Sequence, residues 1–300
     1  MDEGTGQEAL NETNARQAML AACAAVGLAG ERDAALLRLG ENALFLLPAA
    51  GVVVRVARSA AMAGKVAKEL AVARWLAAQD YPGLRPVEVD RQPVEVEGRL
   101  ATFWEYTPED GTPPSITVLA QLIRALHQLP DPGFALPVFD PFPVMRSRLA
   151  NASGVRRDEV RFLAEACDTV EDEFRSLMAS AGQHLIHGDA HRGNVLVTGG
   201  RPLLIDYETM ATGPRAWDLI PTATAVDRFG LSAAEYAAFC DAYGSDVTRD
   251  EGYDVLRTTR ELGMTTWLMQ NVRSEPVAEE FSLRVQSLRK GDRTQRWHAF

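Results

Sequence analysis

Short apolar runs separated by turn residues dominate the chain from residue 43 to residue 106. Two of these runs, Ala43–Leu47 and Val52–Ala57, flank a break that contains Pro48 and Gly51, a pattern typical of a β-hairpin. Three more runs predict further strands, at Val87–Val89, Val94–Val96 and Leu100–Tyr106. This part of the chain is therefore predicted to form a small antiparallel sheet.

Apolar residues at helical spacing predict one helix before this sheet and another inserted within it. The first, Glu8–Leu28, is Ala-rich and ends near Gly27 and Gly30, and the second, Ala61–Gln79, ends at a turn signal, Asp80–Gly83. A proline-rich connector is predicted at 131–143 and a strand–loop–strand block at His184–Ile205. Helices are predicted over most of the remaining chain: Ile116–Leu129, Asp158–Met178, Ala216–Asp227, Ala233–Tyr243, Tyr253–Gln270 and Val277–Leu288.

A β-rich part followed by a helix-rich part defines an α+β fold. We expect an N-terminal lobe at residues 1–106, with the antiparallel sheet and its helices, and a helical C-terminal lobe at residues 107–300. The two lobes are expected to meet in a cleft near Glu105–Pro113. Ligands tend to bind in clefts between lobes.

Composition narrows the class of protein. The chain has 300 residues, of which 46% are hydrophobic and 24% charged, as in ordinary globular proteins. Its three cysteines, Cys23, Cys167 and Cys240, lie far apart, so they indicate neither a disulfide framework nor a metal cluster. Reduced cysteines and an acidic start without a secretory pattern favour a cytoplasmic protein.

The net charge is −10, and no run of eighteen apolar residues occurs. An acidic surface repels nucleic-acid phosphates and anionic lipids, so neither nucleic acid nor membrane is expected as a partner. A small molecule, above all a cationic one, remains compatible with this charge.

The polar loop in the block His184–Ile205 carries the candidate chemistry. Asp189 and Asn194 lie in this loop, and Asp206 follows the next predicted strand. In phosphoryl transfer one carboxylate orients the attacking hydroxyl and accepts its proton, while a carboxylate and an amide oxygen hold Mg²⁺ against the phosphates. Hard oxygen ligands without sulfur favour magnesium over zinc. The three residues therefore predict a phosphoryl-transfer site.

The same block resembles the aminoglycoside phosphotransferase family, part of a wider group that includes choline, homoserine and fructosamine kinases. The family's His-Gly-Asp loop, with Asn five residues after the Asp, is present as His187, Gly188, Asp189 and Asn194, and its Ile-Asp segment ends at Asp206. The resemblance implies a bilobal protein-kinase-like fold. It also implies that Asp189 is the catalytic base and that Asn194 and Asp206 bind Mg²⁺.

A second pattern of the family, Gly-Pro-x-x-Trp-Asp-Leu, is present at Gly213–Leu219. The resemblance implies that Asp218 in this pattern supports the catalytic loop, together with His187. His127 is also similar to a family position, and we expect it to pack rather than react.

The N-terminal lobe resembles the family more loosely. Gly40–Phe45 is similar to its nucleotide-covering turn, and no Gly-rich phosphate loop of the Walker type is present. By resemblance Arg55 reaches the nucleotide phosphates, where many members have Lys, and Glu69 holds Arg55 in place. Further nucleotide contacts are expected from Asn42, Glu105 and Tyr106, the last two at the hinge.

The acceptor is expected to bind the helical lobe, where sequences of the family diverge. The acceptor-binding candidates are Glu208, Glu261 and Trp267. A carboxylate with an aromatic ring suits an amino sugar or another cationic polyol. Trp267 and its neighbouring methionines are equally compatible with a place in the core.

Together these features predict an O-phosphotransferase that uses ATP or GTP with Mg²⁺ and acts on an aminoglycoside-like or other cationic polyol. The alternative is a metabolic small-molecule kinase with a sugar, amino sugar, choline-like or homoserine-like acceptor. The role is accordingly antibiotic resistance or metabolism. A catalytically silent nucleotide-binding module is less compatible with the intact Asp189, Asn194 and Asp206. We expect a monomer or homodimer.

Overall fold

The computed structural model describes residues 9–29 and 34–300. In chain order the helices are α1 Glu12–Ala25, α2 Ala63–Ala78, α3 Ile116–Leu126, α4 Phe142–Ala150, α5 Arg157–Ser180, α6 Ile220–Arg228, α7 Ala233–Tyr243, α8 Tyr253–Leu268 and α9 Glu275–Lys290. The strands are β1 Ala35–Leu39, β2 Asn42–Leu47, β3 Val52–Ala57, β4 Val94–Val96, β5 Arg99–Glu105, β6 His184–Ile186, β7 Val195–Thr198, β8 Arg201–Leu204 and β9 Ala211–Gly213.

These elements form two units. Unit 1 comprises Met1–Pro113 and Val195–Glu208, and unit 2 comprises Pro114–Asn194 and Thr209–Phe300. The division predicted at residues 106 and 107 left the segment 195–208 with the helical lobe. The structure groups this segment with the sheet-containing unit, since its hairpin is bound by residues of that unit.

Unit 1 is built on an antiparallel sheet with the strand order β1-β2-β3-β5-β4. The inward side chains of β2 and β3 alternate with half-buried ones. Phe45 and Val54, which are register partners, are fully buried. Burying an aromatic or aliphatic side chain of this size contributes about 1.5–3 kcal/mol. The α+β class and the antiparallel sheet predicted from the apolar runs are confirmed.

One prediction within this sheet is wrong, and one strand was missed. Residues 87–89 do not form a strand; this segment follows an isolated bridge between Pro86 and Trp104, and Val87 donates one hydrogen bond to the carbonyl of Phe103. Conversely, β1 was not predicted. Most of its side chains are exposed, including Leu37 and Leu39, so its sequence lacks the alternation of a half-buried strand.

Helix α1 packs on the sheet through Ala18, Met19 and Cys23, which share one core cluster with the strand residues. Asn11 caps its start by accepting a hydrogen bond from the backbone of Asn14. The helix begins at Glu12 and ends at Ala25, before the predicted end at Leu28, and the predicted start, Glu8, lies outside the described residues.

The hairpin of β7 and β8 is attached to unit 1 at two points. The carboxylate of Asp110 accepts hydrogen bonds from the backbone nitrogens of Gly199 and Gly200, both at 2.9 Å. At the other end Leu204 donates to the carbonyl of Pro82 at 2.9 Å. These bonds position the residues that follow β8, including Asp206.

Unit 2 is mainly helical, with β6 and β9 paired antiparallel. The predicted helices are present: α7 has its predicted ends and the others have shifted ends. Helix α6 begins at Ile220 after a short 3₁₀ turn at Arg215–Leu219. Helix α4 was not predicted, because Pro141 and Pro143 indicated a connector. In the structure Pro143 lies in the first turn of α4, where the missing N–H costs nothing. Within the described residues no helix is long and apolar enough to cross a membrane.

Candidate active site

The loop that follows β6 is fastened by the buried carboxylate of Asp218. Its Oδ2 accepts a hydrogen bond from the backbone nitrogen of His187 at 2.6 Å, and its Oδ1 accepts one from Gly188 at 2.8 Å. Asp218 has no solvent exposure. A buried carboxylate is stable only when it is fully paired, so these bonds fix both the carboxylate and the loop.

His127 completes the pairing of this carboxylate. Its Nε2 lies 3.0 Å from Oδ2 of Asp218, and its Nδ1 lies 2.8 Å from the hydroxyl of Tyr243. Both ring nitrogens are therefore used inside unit 2. This placement agrees with the expectation that His127 packs rather than reacts.

Gly188 is required by its conformation and by its surroundings. Its φ is +84°, a region that residues with a Cβ rarely adopt, and a Cβ would lie 2.5 Å from the carbonyl oxygen of Thr209. The carbonyl of Gly188 accepts a hydrogen bond from the indole of Trp217 at 2.8 Å. The turn therefore presents Asp189 from a rigid backbone.

The carboxylate of Asp189 lies between two basic groups of unit 2. Nη1 of Arg260 is 2.8 Å from its Oδ1, and Nε2 of His191 is 3.4 Å from its Oδ2. About a third of the Asp189 side chain is exposed. Burial raises the pKa of Asp189, but Arg260 and His191 lower it by more, so its net pKa is below the usual range. The group is an anionic hydrogen-bond acceptor at neutral pH.

His187 and Asn194 support the same loop from either side of Asp189. Nδ1 of His187 accepts a hydrogen bond from the backbone nitrogen of Asp189 at 3.3 Å. Nδ2 of Asn194 donates to the carbonyl of Asp189 at 2.9 Å. This bond orients the amide of Asn194, so its Oδ1 is the atom left to act as a ligand.

In unit 1, Arg55 on β3 and Glu69 on α2 form a two-pronged ion pair. Nη1 lies 2.7 Å from Oε1 and Nη2 lies 2.5 Å from Oε2. Burial lowers the pKa of Arg55, whereas the Glu69 carboxylate raises it by more, helped by Glu208 and Asp206. The structure thus gives Glu69 the contact with Arg55 that the sequence indicated.

Asp206 and Glu208 follow β8 on the same unit. Asp206 is exposed and has a φ of +65°, a left-handed conformation that Asp adopts more readily than most residues. Oε1 of Glu208 lies 2.8 Å from Nζ of Lys65, and its carbonyl accepts a hydrogen bond from Lys68 at 2.5 Å. Both lysines lie shortly before Glu69 in the sequence. Nothing in the sequence indicated that they contact Glu208.

The remaining nucleotide candidates also lie in unit 1. Oδ1 of Asn42 is buried and has no hydrogen-bond partner among the described residues. At the end of β5, Glu105 and Tyr106 are exposed, and their backbone nitrogens are bonded to the carbonyls of Arg85 and Gly51.

The acceptor prediction for Glu261 needs correction. Its side chain is only 7% exposed, with Oε1 2.7 Å from Nε of Arg228 and 3.0 Å from Nη2 of Arg257. A carboxylate held by two buried arginines is committed to the interior of unit 2 rather than open to a ligand. Trp267 is 38% exposed on α8. Arg260, the contact of Asp189, was not singled out, since one Arg on an amphipathic helix gives no sequence signal.

The expected metal ligands have the chemistry that Mg²⁺ requires. In the described parts of the chain no three His, Cys, Asp or Glu side chains form a group that could hold a metal ion. Magnesium needs no such group, because it retains water and binds one or two protein oxygens together with substrate phosphates. The oriented amide of Asn194 and the exposed carboxylate of Asp206 are oxygen donors of this kind.

Comparison with known proteins identifies the class. The model of the phosphotransferase enzyme family (APH) matches residues 39–258. The chain therefore belongs to this family, and it is a small-molecule phosphotransferase with an alcohol group as acceptor. No curated protein sequence matches the chain.

Solved structures with the same fold are kinases of varied small molecules. A microcompartment-associated aminopropanol kinase superposes with a TM-score of 0.68 at 20% identity, covering 93% of this chain and 98% of that one. An amicoumacin kinase solved with AMP-PNP and Ca²⁺ gives 0.65 at 14% identity, with 87% and 89% covered. Aminoglycoside phosphotransferase APH(3'')-Id from Streptomyces rimosus gives 0.62 at 17% identity, with 85% and 99% covered. The bilobal kinase-like fold is thereby confirmed.

Proposed function

We propose that the protein transfers the γ-phosphoryl group of ATP or GTP to a hydroxyl of a small molecule in a magnesium-dependent reaction. The observation that carries this proposal is the rigid loop held by Asp218, which presents the anionic Asp189. The acceptor oxygen forms a bond to the γ-phosphorus, and the bond from that phosphorus to the bridging oxygen breaks. Its electron pair leaves with the diphosphate, and the hydroxyl proton passes to Asp189.

The proposed metal ligands are Asn194 and Asp206. The contact between Asn194 and the Asp189 carbonyl supports this role, because it reserves Oδ1 of the amide. A bound Mg²⁺ ion supplies neutralisation of phosphate charge. Because His187 and Asp218 hold the loop in place, the loop does not have to reorganise when the acceptor binds.

In the proposed nucleotide site Arg55 binds phosphate oxygens while Glu69 keeps its guanidinium in place. The two-pronged pair supports this role, since a fixed guanidinium meets phosphate oxygens in a defined orientation. The buried, unpartnered Oδ1 of Asn42 is an acceptor that a nucleotide hydroxyl or amino group can satisfy. The backbone nitrogens of Glu105 and Tyr106 are already bonded within unit 1, so the carbonyls of these residues are the groups proposed to meet the purine edge.

The acceptor is either a cationic polyol or a metabolic alcohol. The pairing of Glu261 with Arg228 and Arg257 weakens the first choice, because it removes a carboxylate proposed to bind ammonium groups. Trp267 and Glu208 remain acceptor candidates. Arg260 places a cation beside Asp189, which suits an acceptor with ammonium groups poorly. Its position therefore favours the second choice, a metabolic small-molecule kinase. We further propose that the enzyme acts in the cytoplasm as a monomer or homodimer.

The proposal is tested with purified protein, ATP or GTP, and a panel of aminoglycosides, amino sugars, choline, homoserine and hydroxy acids. Nucleoside diphosphate release and the phosphorylated product are measured with Mg²⁺ and after chelation by EDTA. Turnover that requires both Mg²⁺ and one acceptor supports the proposal. Failure to bind magnesium–nucleotide at all contradicts it.

A further inference from the structure

Arg260 on α8 brings a positive charge to the place where the acceptor hydroxyl must bind. Its Nη1 lies 2.8 Å from Oδ1 of Asp189, and its side chain is 18% exposed. A hydroxyl that donates to Asp189 is therefore within a few ångströms of the guanidinium. A group on the acceptor next to that hydroxyl can therefore contact this cation.

The guanidinium of Arg260 has one donor without a partner. Its Nε is buried and has no hydrogen-bond partner in the part of the chain that the structure describes. A buried donor without a partner is costly, so this N–H favours a ligand that carries an acceptor oxygen. The planar fork of a guanidinium can bind the two oxygens of a carboxylate.

The acids nearest to Arg260 along α8 and α6 do not provide this partner. Glu261 is engaged by Arg228 and Arg257, and Oδ2 of Asp227 lies 3.1 Å from Nη2 of Arg257. These acids are thus committed to other arginines. The side chain that α8 directs to Asp189 is a cation, which suits an anionic acceptor better than an ammonium group.

We propose that the acceptor carries a carboxylate close to its reacting hydroxyl, as in a hydroxy acid or an amino-acid alcohol, and that Arg260 binds this carboxylate. The assignment rests on the proposed function. A single guanidinium matches one carboxylate, whereas a phosphate ester of higher charge calls for further cations. Arg260 is then a specificity-determining residue that selects the acceptor while it contacts the base.

The test uses pairs of acceptors that differ only in the carboxylate: homoserine with its amide, glycerate with glycerol, and gluconate with glucose. Glycerol 3-phosphate and an aminoglycoside are tested as acceptors that carry a phosphate and cationic groups in place of the carboxylate. The wild type is expected to show kcat/KM about tenfold or more higher for the acid of at least one pair. Arg260→Gln is expected to lose that preference through the KM of the acid, and Arg260→Lys to restore part of it.

Arg249→Gln is the matched control, because its side chain is 84% exposed in the same unit. Thermal melts check that each variant is folded. The assignment is overturned if amides, alcohols, the phosphate ester or the aminoglycoside react as well as the acids, or if Arg260→Gln slows all acceptors equally. It is also overturned if magnesium–nucleotide binds but no acid reacts. Absence of nucleotide binding, or turnover that survives Asp189→Asn, contradicts the proposed function instead.

Discussion

Asp218 accepts a hydrogen bond from the backbone nitrogen of Gly188 at 2.8 Å, although 30 positions separate the two residues along the chain. The same carboxylate binds His187 and His127, so one buried acid joins the loop that carries Asp189 to α3 and to the turn before α6. The geometry of Asp189 therefore depends on a residue that does not touch it.

Replacing Asp218 by Ala is expected to lower stability by about 3–5 kcal/mol, because it leaves buried donors without an acceptor. Turnover of the folded fraction should fall as well, since the loop loses its anchor. Urea unfolding and kcat measure the two effects. Asp241→Ala, at an exposed position on α7, is the control and should change neither. An active Asp218→Ala enzyme of normal stability would refute this account of the loop.

Gly188→Ala is expected to destabilise the protein more than Gly230→Ala. Both glycines have positive φ, but a Cβ on Gly230 meets nothing within 4 Å, whereas one on Gly188 meets a backbone oxygen at 2.5 Å. The backbone conformation alone costs about 1–2 kcal/mol at each site. Gly188→Ala should add the cost of moving the Thr209 segment and reduce kcat, as measured by denaturation and turnover. Equal effects at the two sites would contradict the steric argument.

Arg55→Lys is expected to weaken nucleotide binding about tenfold, because an ammonium group cannot reproduce the two-pronged contact with Glu69 and still bind phosphate in the same orientation. Isothermal titration with magnesium–nucleotide measures the change. Arg74→Lys, at an exposed position on α2, provides the matched control. Unchanged affinity in Arg55→Lys would remove Arg55 from the nucleotide site.

The hydrogen bonds that the Asp110 carboxylate accepts from the hairpin of β7 and β8 predict a pH-dependent contribution to stability. Hydrogen bonds from Gly200 and Gly199 lower the pKa of Asp110 in the folded protein. A lowered folded pKa means that the stabilisation is present above the unfolded pKa, about 4, and is lost as the pH falls through the folded value. The stability difference between wild type and Asp110→Asn should therefore shrink below about pH 4. Denaturant titrations from pH 6 downward test this, and a difference that grows in acid would contradict it.

Local sequence pattern was sufficient to predict several of the elements. Strands β2 and β3 were predicted because short apolar runs flank a turn, and α7 was predicted with its observed ends. The edge strand β1 escaped prediction because exposed leucines give no alternation. Helix α4 was not predicted, because in the sequence a proline at the start of a helix cannot be told from a proline that prevents a helix.

The motif residues of the candidate site were found because their spacing is itself the signal. Several of their partners were not, since pairings such as Arg260 with Asp189 and Lys65 with Glu208 join residues far apart in sequence. The same limit explains the prediction for Glu261. Whether a helical acid faces a ligand or a buried arginine depends on which residues the other helices bring to it.

The central claim is that Asp189 is the base of a nucleotide-dependent phosphoryl transfer. The most direct measurement compares acceptor-dependent diphosphate release by the wild type and Asp189→Asn, with nucleotide affinity determined for both. The account predicts that Asp189→Asn loses about a hundredfold to ten-thousandfold in kcat while its nucleotide affinity stays nearly unchanged. Undiminished turnover in a folded Asp189→Asn protein would contradict it.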